Sequence, residues 1–334
     1  MNDRCTTFET LLATRPVLVA DGAMGTTLFS LGLAGGGCPE LLNVEHPELV
    51  FQVHEQFIAA GADIVLTNTF GGNSRRLALH RLEDRVAELN AAAVRIARQA
   101  AEAAGRPVAV AGSIGPTGDL FEPLGPLTHE EGVAVFAEQA RALVEAGVDV
   151  LWIETISSWQ ELNAATEAAS QFGVPVSATL SFDTNGRTMM GISGTQLGEW
   201  WKASPHAPLT VGANCGIGPG DAVSVALDVT EVAPTAAVIV KANCGMPLYQ
   251  TDALVYPVGP DRMADYVELA VRSGARIIGA CCGSTPDHIA AIRHAVDAGV
   301  SGERPSHVEI EERLDATPVS AAAPGRRGNR RRAG

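Results

Sequence analysis

ARIIGACCGSTPDHIAAIRHAVDAG, residues 275–299, runs from an unbroken apolar stretch through two cysteines and a glycine into a segment with helical spacing. The first part reads as a strand buried on both faces, because its apolar residues are continuous rather than alternating. The second part reads as an amphipathic helix, with Pro286 where a first helical turn accepts it and Gly299 at its end. Working outward, the same strand–loop–helix scheme recurs through the chain. Apolar runs of this kind stand at VLVA (17–20), IVLTNT (64–69), VAVAGSI (108–114), VLWIET (150–155), VSATLSF (176–182), LTVGANC (209–215), AVIVKAN (237–243) and ARIIGACC (275–282). Helical segments separate them, among them 47–61 ending on Gly61, 129–147 following Thr128 as N-cap and ending on Gly147, and 261–274.

Eight such units in about 285 residues are what a closed (β/α)8 TIM barrel needs, in the α/β class. The spacing predicts one barrel domain over residues 1–302 and a disordered basic tail over 303–334. The last fourteen residues, AAAPGRRGNRRRAG, hold five arginines and no apolar periodicity, too little to offset the entropy of ordering.

A barrel places its active site at the C-terminal ends of its strands. Those ends carry Asp21 with Gly22; Thr67, Asn68 and Thr69; Ser113 and Gly115; Glu154 and Thr155; Asp183; Asn214 with Cys215; Asn243 with Cys244; and Cys281 with Cys282. Four of the six cysteines therefore fall on one face. Side chains of adjacent strand residues point apart, so both members of the 281–282 pair can face one point only where the strand breaks, and Gly283 supplies the break. Three soft ligands, Cys215, Cys281 and Cys282, meeting at an open mouth suit catalytic zinc, which keeps a fourth position for water or substrate. Taken alone the pair fits a small buried filler or a redox couple better than a metal site, Cys215 at a matching strand end reverses that preference, and Cys244 could complete a closed four-thiolate site. Asp21 and Glu154 are candidates to hold a cationic group, or else cap the helices that follow.

Composition narrows the function class. The 334 residues are 46% hydrophobic and 19% charged with net charge −14, so clustered Lys and Arg for nucleic acid are absent from the folded body. No window reaches the length of a membrane span, and the start MNDRCTTFETLL lacks the pattern of a secretory signal, so a cytoplasmic location is expected.

DGAMGTTL (21–28), TNTFGGN (67–73), GSIGPTG (112–118), WIETI (152–156), GANCGIGP (212–219) and GACCGSTPDHI (279–289) together resemble the motifs of the homocysteine S-methyltransferases. The resemblance runs from about residue 16 to 300. It implies a zinc-dependent barrel that moves a methyl group onto homocysteine, with Cys215, Cys281 and Cys282 as ligands to Zn2+. It also implies that Asp21, Gly22 and Glu154 bind the amino-acid end of homocysteine, that Thr67, Thr69 and Ser113 make neighbouring contacts, and that the protein is a dimer or tetramer.

The donor is the more open part. SFDTNGRTMMG (181–191), GDLFEPLG (118–125) and the Arg-rich end are similar to short bacterial proteins assigned as betaine–homocysteine methyltransferases, which implies betaine as donor and dimethylglycine as by-product. The animal betaine enzymes cage the quaternary ammonium with tyrosines where this chain has Gly71 and Thr155, so another cage is needed. Tyr249, Tyr256, Trp152, Trp159, Trp200 and Trp201 are candidates for it, or ordinary packing residues. S-methylmethionine is an alternative donor. A methylcorrinoid partner is another, because NCGIGP and GACCGSTPDHI also resemble the homocysteine module of cobalamin-dependent methionine synthase. A zinc- or thiol-binding barrel without turnover is the non-enzyme reading, against which the two strand-end acids argue.

Overall fold

The expected apolar runs all become parallel strands of a single barrel. A computed structural model describes residues 6–33, 36–250 and 253–315. Its strands in chain order are β1 (Leu18–Val19), β2 (Ile64–Leu66), β3 (Ala109–Ile114), β4 (Val150–Ile156), β5 (Val176–Leu180), β6 (Thr210–Cys215), β7 (Ala237–Ala242), a hairpin pair β8 (Leu248–Gln250) and β9 (Ala253–Val255), and β10 (Ala275–Ala280). The sheet order is β1-β10-β7-β6-β5-β4-β3-β2, and a parallel bridge from Ala20 to Ile64 joins the two ends. Asp63 N–H donates to Val19 O and Asp21 N–H to Ile64 O, which completes the closure. The hairpin β8–β9 stands apart in the loop that leaves β7.

Residues on alternate strand positions fill two distinct layers, as the period-two geometry of strands requires. Leu18, Ile64, Ala109, Val150, Trp152, Ile239 and Ile277 cluster in the barrel interior, and Phe8 and Leu11 join them from the helix Thr7–Thr14. The other faces of the strands pack on the surrounding helices, with Phe57, Phe136, Leu143, Leu162, Leu197, Val229 and Val267 from the helix side. Small residues permit the close approach at β6, where a Cβ on Gly212 would lie 2.0 Å from Ile239 O.

The helices follow their sequence signals. The helix His129–Ala146 starts in a capping box of Thr128 and Glu131 and stops at Gly147 with φ 98°. Pro47–Ala59 and Pro286–Ala298 both begin on the proline that the sequence offers. Gly218, preceding Pro219–Val232, leaves that helix without a side-chain cap.

The expected boundary at 302 is corrected by a further helix, His307–Leu314, inside the segment read as tail. Ile310 and Leu314 form a short apolar stripe that is buried, and the helix lies against Pro219–Val232 and Met263–Arg272. Arg272 binds Glu309 at 2.7 Å, His307 binds Asp228 at 2.9 Å, and Arg313 pairs with Glu268 and Asp265. Two apolar residues flanked by charges gave no periodic signal, and the partners that hold them are distant in the chain. The arginine-rich residues 321–334 lie outside the described residues. Among the described residues no helix is long and apolar enough to cross a membrane.

Candidate active site

The side chains of interest stand on the last residues of the strands, as Ser113, Glu154 and Cys215 do, or on the first residues of the loops that follow, as Asp21, Thr67, Cys281 and Cys282 do. Cys215 is the last residue of β6 and takes φ 57°, a left-handed value rare for a residue with a side chain. The turn continues through Gly216 at φ 72°. Cys281 and Cys282 follow β10 directly, and Gly283 turns the chain with φ 82°. A Cβ on Gly283 would sit 2.0 Å from Tyr256 Cγ, so glycine is required there for space as well as for angle.

These turns bring Cys215 Sγ to 3.3 Å from Cys281 Sγ and 3.7 Å from Cys282 Sγ. All three sulfurs lie within 4.8 Å of one another. Tetrahedral zinc with metal–sulfur bonds near 2.3 Å would separate its sulfurs by about 3.8 Å, so the set fits that ion. Asn243 fixes the two loops against each other: its Oδ1 accepts Cys282 N–H at 3.0 Å and its Nδ2 donates to Gly216 O at 2.7 Å. Ser284 Oγ donates to Cys281 O at 2.8 Å and accepts Ala23 N–H at 3.0 Å, which ties the loop of β10 to that of β1.

The proton balance of the cluster also favours a cation. The sulfur–sulfur contacts push Cys215 up and hold Cys282 down, so the three thiols do not ionise alike. Three thiolates packed this closely repel one another when no positive charge lies between them. A metal ion removes that conflict.

Beside the sulfurs is a cavity of about 290 Å³ whose wall includes Asp21, Gly22, Thr67, Asn68, Ser113, Glu154, Thr155 and the three cysteines. Glu154 is buried, and burial first, then the nearby Cys281 sulfur, pushes its carboxyl up to about 7. Its Oε1 accepts the Ser113 hydroxyl, and its Oε2 accepts Asn214 Nδ2 at 3.4 Å. Asn214 also clasps the Thr155 backbone, where φ is 63°. Thr67 accepts Ser113 N–H at 3.1 Å and lies 2.6 Å from the Thr69 hydroxyl. Gly22 admits the Ser284 hydroxyl and the Phe57 ring, each within 2.6 Å of where a Cβ would be.

Some expected residues are placed elsewhere. Thr69 is fully buried behind Thr67, donates to Ser113 O at 2.7 Å and is not part of the cavity wall. Asp183 is exposed outside the cavity, because the chain leaves the barrel after β5. Cys244 is buried and holds Cys282 O through its backbone N–H, outside the three-sulfur cluster. Trp152 packs in the barrel interior, and Trp159 and Trp200 stack on each other at 6.0 Å on the outer helices. Trp201 donates to Pro208 O. Tyr256 covers Gly283 rather than lining the cavity.

The sequence reading missed Lys241. It is 2% exposed on β7, and its Nζ reaches Asp21 Oδ1 at 2.7 Å and Asp21 O at 2.9 Å. Burial alone would lower the Lys241 ammonium, but the Asp21 carboxylate and the nearby sulfur charge hold it above its ordinary value. Asp21 Oδ2 accepts Leu66 N–H at 2.8 Å, so this carboxylate is engaged at both oxygens. The one available signal was a lysine inside an otherwise apolar strand. Phe29 on the helix Met24–Ser30, Glu40 in the turn Pro39–Leu41 and Phe70 in the loop after β2 also line the cavity and were not singled out.

The comparisons agree with this geometry. The model of the homocysteine S-methyltransferase family matches residues 18–296. The methionine synthases of Mycobacterium leprae and Mycobacterium tuberculosis are 31% and 32% identical over 297 residues, which is 84% of this chain and 24% of theirs. The chain thus spans about a quarter of the length of these curated relatives. The metallated form of the Escherichia coli homocysteine methyltransferase MmuM superposes with a TM-score of 0.73 at 25% identity, covering 86% of this chain and 99% of that one. Its oxidized form gives 0.72 at 26% identity over the same shares.

Proposed function

The chain belongs to the homocysteine S-methyltransferase family, and from that premise we propose that it binds zinc through Cys215, Cys281 and Cys282. It then transfers a methyl group from a small onium donor such as betaine to homocysteine, giving methionine, with dimethylglycine as the by-product when betaine is used. The observation that carries this reading is the convergence of three sulfurs on the same cavity wall as a buried carboxylate, Glu154, that forms no direct ion pair among the described residues. The relative solved in a metallated form supports the metal assignment.

Zinc held by Cys215, Cys281 and Cys282 would act as a Lewis acid that lowers the pKa of the substrate thiol, so that its proton leaves to water at neutral pH, and three cysteine thiolates would keep the site electron-rich. The protein's own part is alignment and charge. Glu154 feels the Lys241 charge but forms no direct ion pair among the described residues, so it is the better seat for the homocysteine ammonium, through a charge-assisted hydrogen bond. Asp21 is already balanced by Lys241 and offers a further acceptor beside it. Gly22, whose missing side chain leaves room for Ser284 and Phe57, lies on the cavity wall, and Thr67 and Ser113 present polar atoms along it. Holding the attacking sulfur in line with the methyl carbon and its leaving atom is where the rate gain arises.

A second reading has a specific observation behind it. The match to a quarter of two methionine synthases leaves room for a methyl group delivered on a separate corrinoid protein. The test offers zinc-loaded protein homocysteine together with betaine, dimethylsulfoniopropionate, S-methylmethionine or methylcobalamin, following methionine by mass spectrometry. Methionine from an onium donor, abolished by chelation, is the expected result. Product from methylcobalamin alone overturns the onium assignment, and no product from any donor overturns methyl transfer to homocysteine. The reaction is expected in the cytoplasm, with the protein acting as a homodimer or homotetramer.

A further inference from the structure

The cavity wall holds a second buried carboxylate without a cation. Glu40 is 5% exposed in the short turn Pro39–Leu41 and forms no ion pair among the described residues. Its Oε1 accepts Gly71 N–H at 2.6 Å, and its Oε2 has only the Cys38 thiol at 3.3 Å. A thiol is a weak donor, and burial raises Cys38 to about 11, so it stays neutral. The turn is held in place: Asn68 Nδ2 donates to Pro39 O at 2.7 Å and Asn43 Nδ2 donates to Asn68 O at 2.9 Å. Gly71 keeps the carboxylate's place free, because a Cβ there would lie 2.9 Å from Oε1.

Two aromatic rings share the same wall. Phe70 is the residue before Gly71 and is 37% exposed; Phe29, on the helix after β1, is 46% exposed. Large apolar rings left open inside a cavity, next to a carboxylate lacking a cation, suit a soft cation bearing methyl groups. Ring faces attract such a cation through their quadrupole, and the carboxylate supplies the full charge that a buried acid needs to meet. Glu40 belongs to no cluster of three metal-ligating side chains among the described residues, so a hard metal ion is poorly served there.

We infer that Glu40, with Phe29 and Phe70, forms the subsite that selects the methyl donor, taking a quaternary-ammonium or trialkylsulfonium group against the Glu40 carboxylate. This rests on the onium-donor reading above and assigns the residues that enforce it. Donor choice then depends on the positive charge of the methyl-bearing atom rather than on its shape.

The test measures binding of betaine, tetramethylammonium and 3,3-dimethylbutanoate, the carbon isostere of betaine, to full-length zinc-loaded protein by calorimetry. Betaine and tetramethylammonium are expected to bind and the isostere to fail. Glu40→Gln, whose amide oxygen still accepts Gly71 N–H, is expected to weaken onium binding by about tenfold while zinc content and homocysteine affinity stay at wild-type values. Phe70→Leu should weaken it in the same direction. Equal binding of betaine and its isostere, or unchanged onium affinity in Glu40→Gln, overturns the assignment. Glu40-dependent onium binding in a protein that makes no methionine overturns the methyl-transfer reading instead and leaves the subsite standing.

Discussion

Replacing Lys241 by Met tests the charge arrangement under the cavity. Lys241 and Asp21 are each 2% exposed and in contact at 2.7 Å, so the substitution leaves a carboxylate buried without its cation. Removing one side of a buried ion pair costs about 3–5 kcal/mol. Asp21 Oδ2 keeps the Leu66 N–H at 2.8 Å, which places the expected loss at the lower end, about 3 kcal/mol. Urea unfolding followed by tryptophan fluorescence reads the change, since Trp152 sits in the barrel interior and reports its opening. The decisive comparison is the double variant Lys241→Met/Asp21→Asn, in which the amide still accepts Leu66 N–H and no charge is stranded. It should recover most of the lost stability. A single variant within about 1 kcal/mol of wild type, or a double variant as unstable as the single, would refute the reasoning.

Glu154→Gln should retain wild-type zinc content while lowering kcat/KM for methionine formation by roughly 30–100-fold, the value of about 2–3 kcal/mol for a hydrogen bond to a charged group; mass spectrometry and metal analysis check the two halves. His54 is fully buried with both ring nitrogens unpartnered, and burial lowers it to about 4. The unfolded chain takes up that proton near pH 6.5 and the folded one does not. Stability from this residue is therefore full above pH 6.5 and lost as pH falls toward 4, by about 3 kcal/mol; a His54→Leu variant should show a flatter urea midpoint across that window. Gly283→Ala should lose metal during dialysis where Gly25→Ala, which meets nothing within 4 Å, does not.

The barrel was legible because parallel strands covered on both faces appear as continuous apolar runs, and each of those runs became a strand. The three-sulfur cluster was legible for a related reason: a fold that fixes strand ends also fixes which distant residues meet. Side-chain pairing was not. Lys241 and Asp21 lie 220 positions apart, and no local pattern announces such a partner. Thr69 and Asp183 sit at strand ends as expected, yet one turns into the core and the other outward, because the first residues of a loop no longer follow the alternation of the strand. Glu40 lay outside every strand run, on a turn that is tied to the cavity by Asn68 and by Gly71, residues distant from it in the chain.

The bond from Ser284 to Ala23 spans 261 positions, and the metal cluster needs both β6 and β10. No ligand set exists until the last strand has docked between the first and the seventh. A chain still emerging from synthesis, or one whose barrel has sprung open, presents scattered thiols that hold an ion poorly. Uptake of the proposed metal would therefore mark completion: it would reward only molecules that have closed and would lock the docking of the last strand.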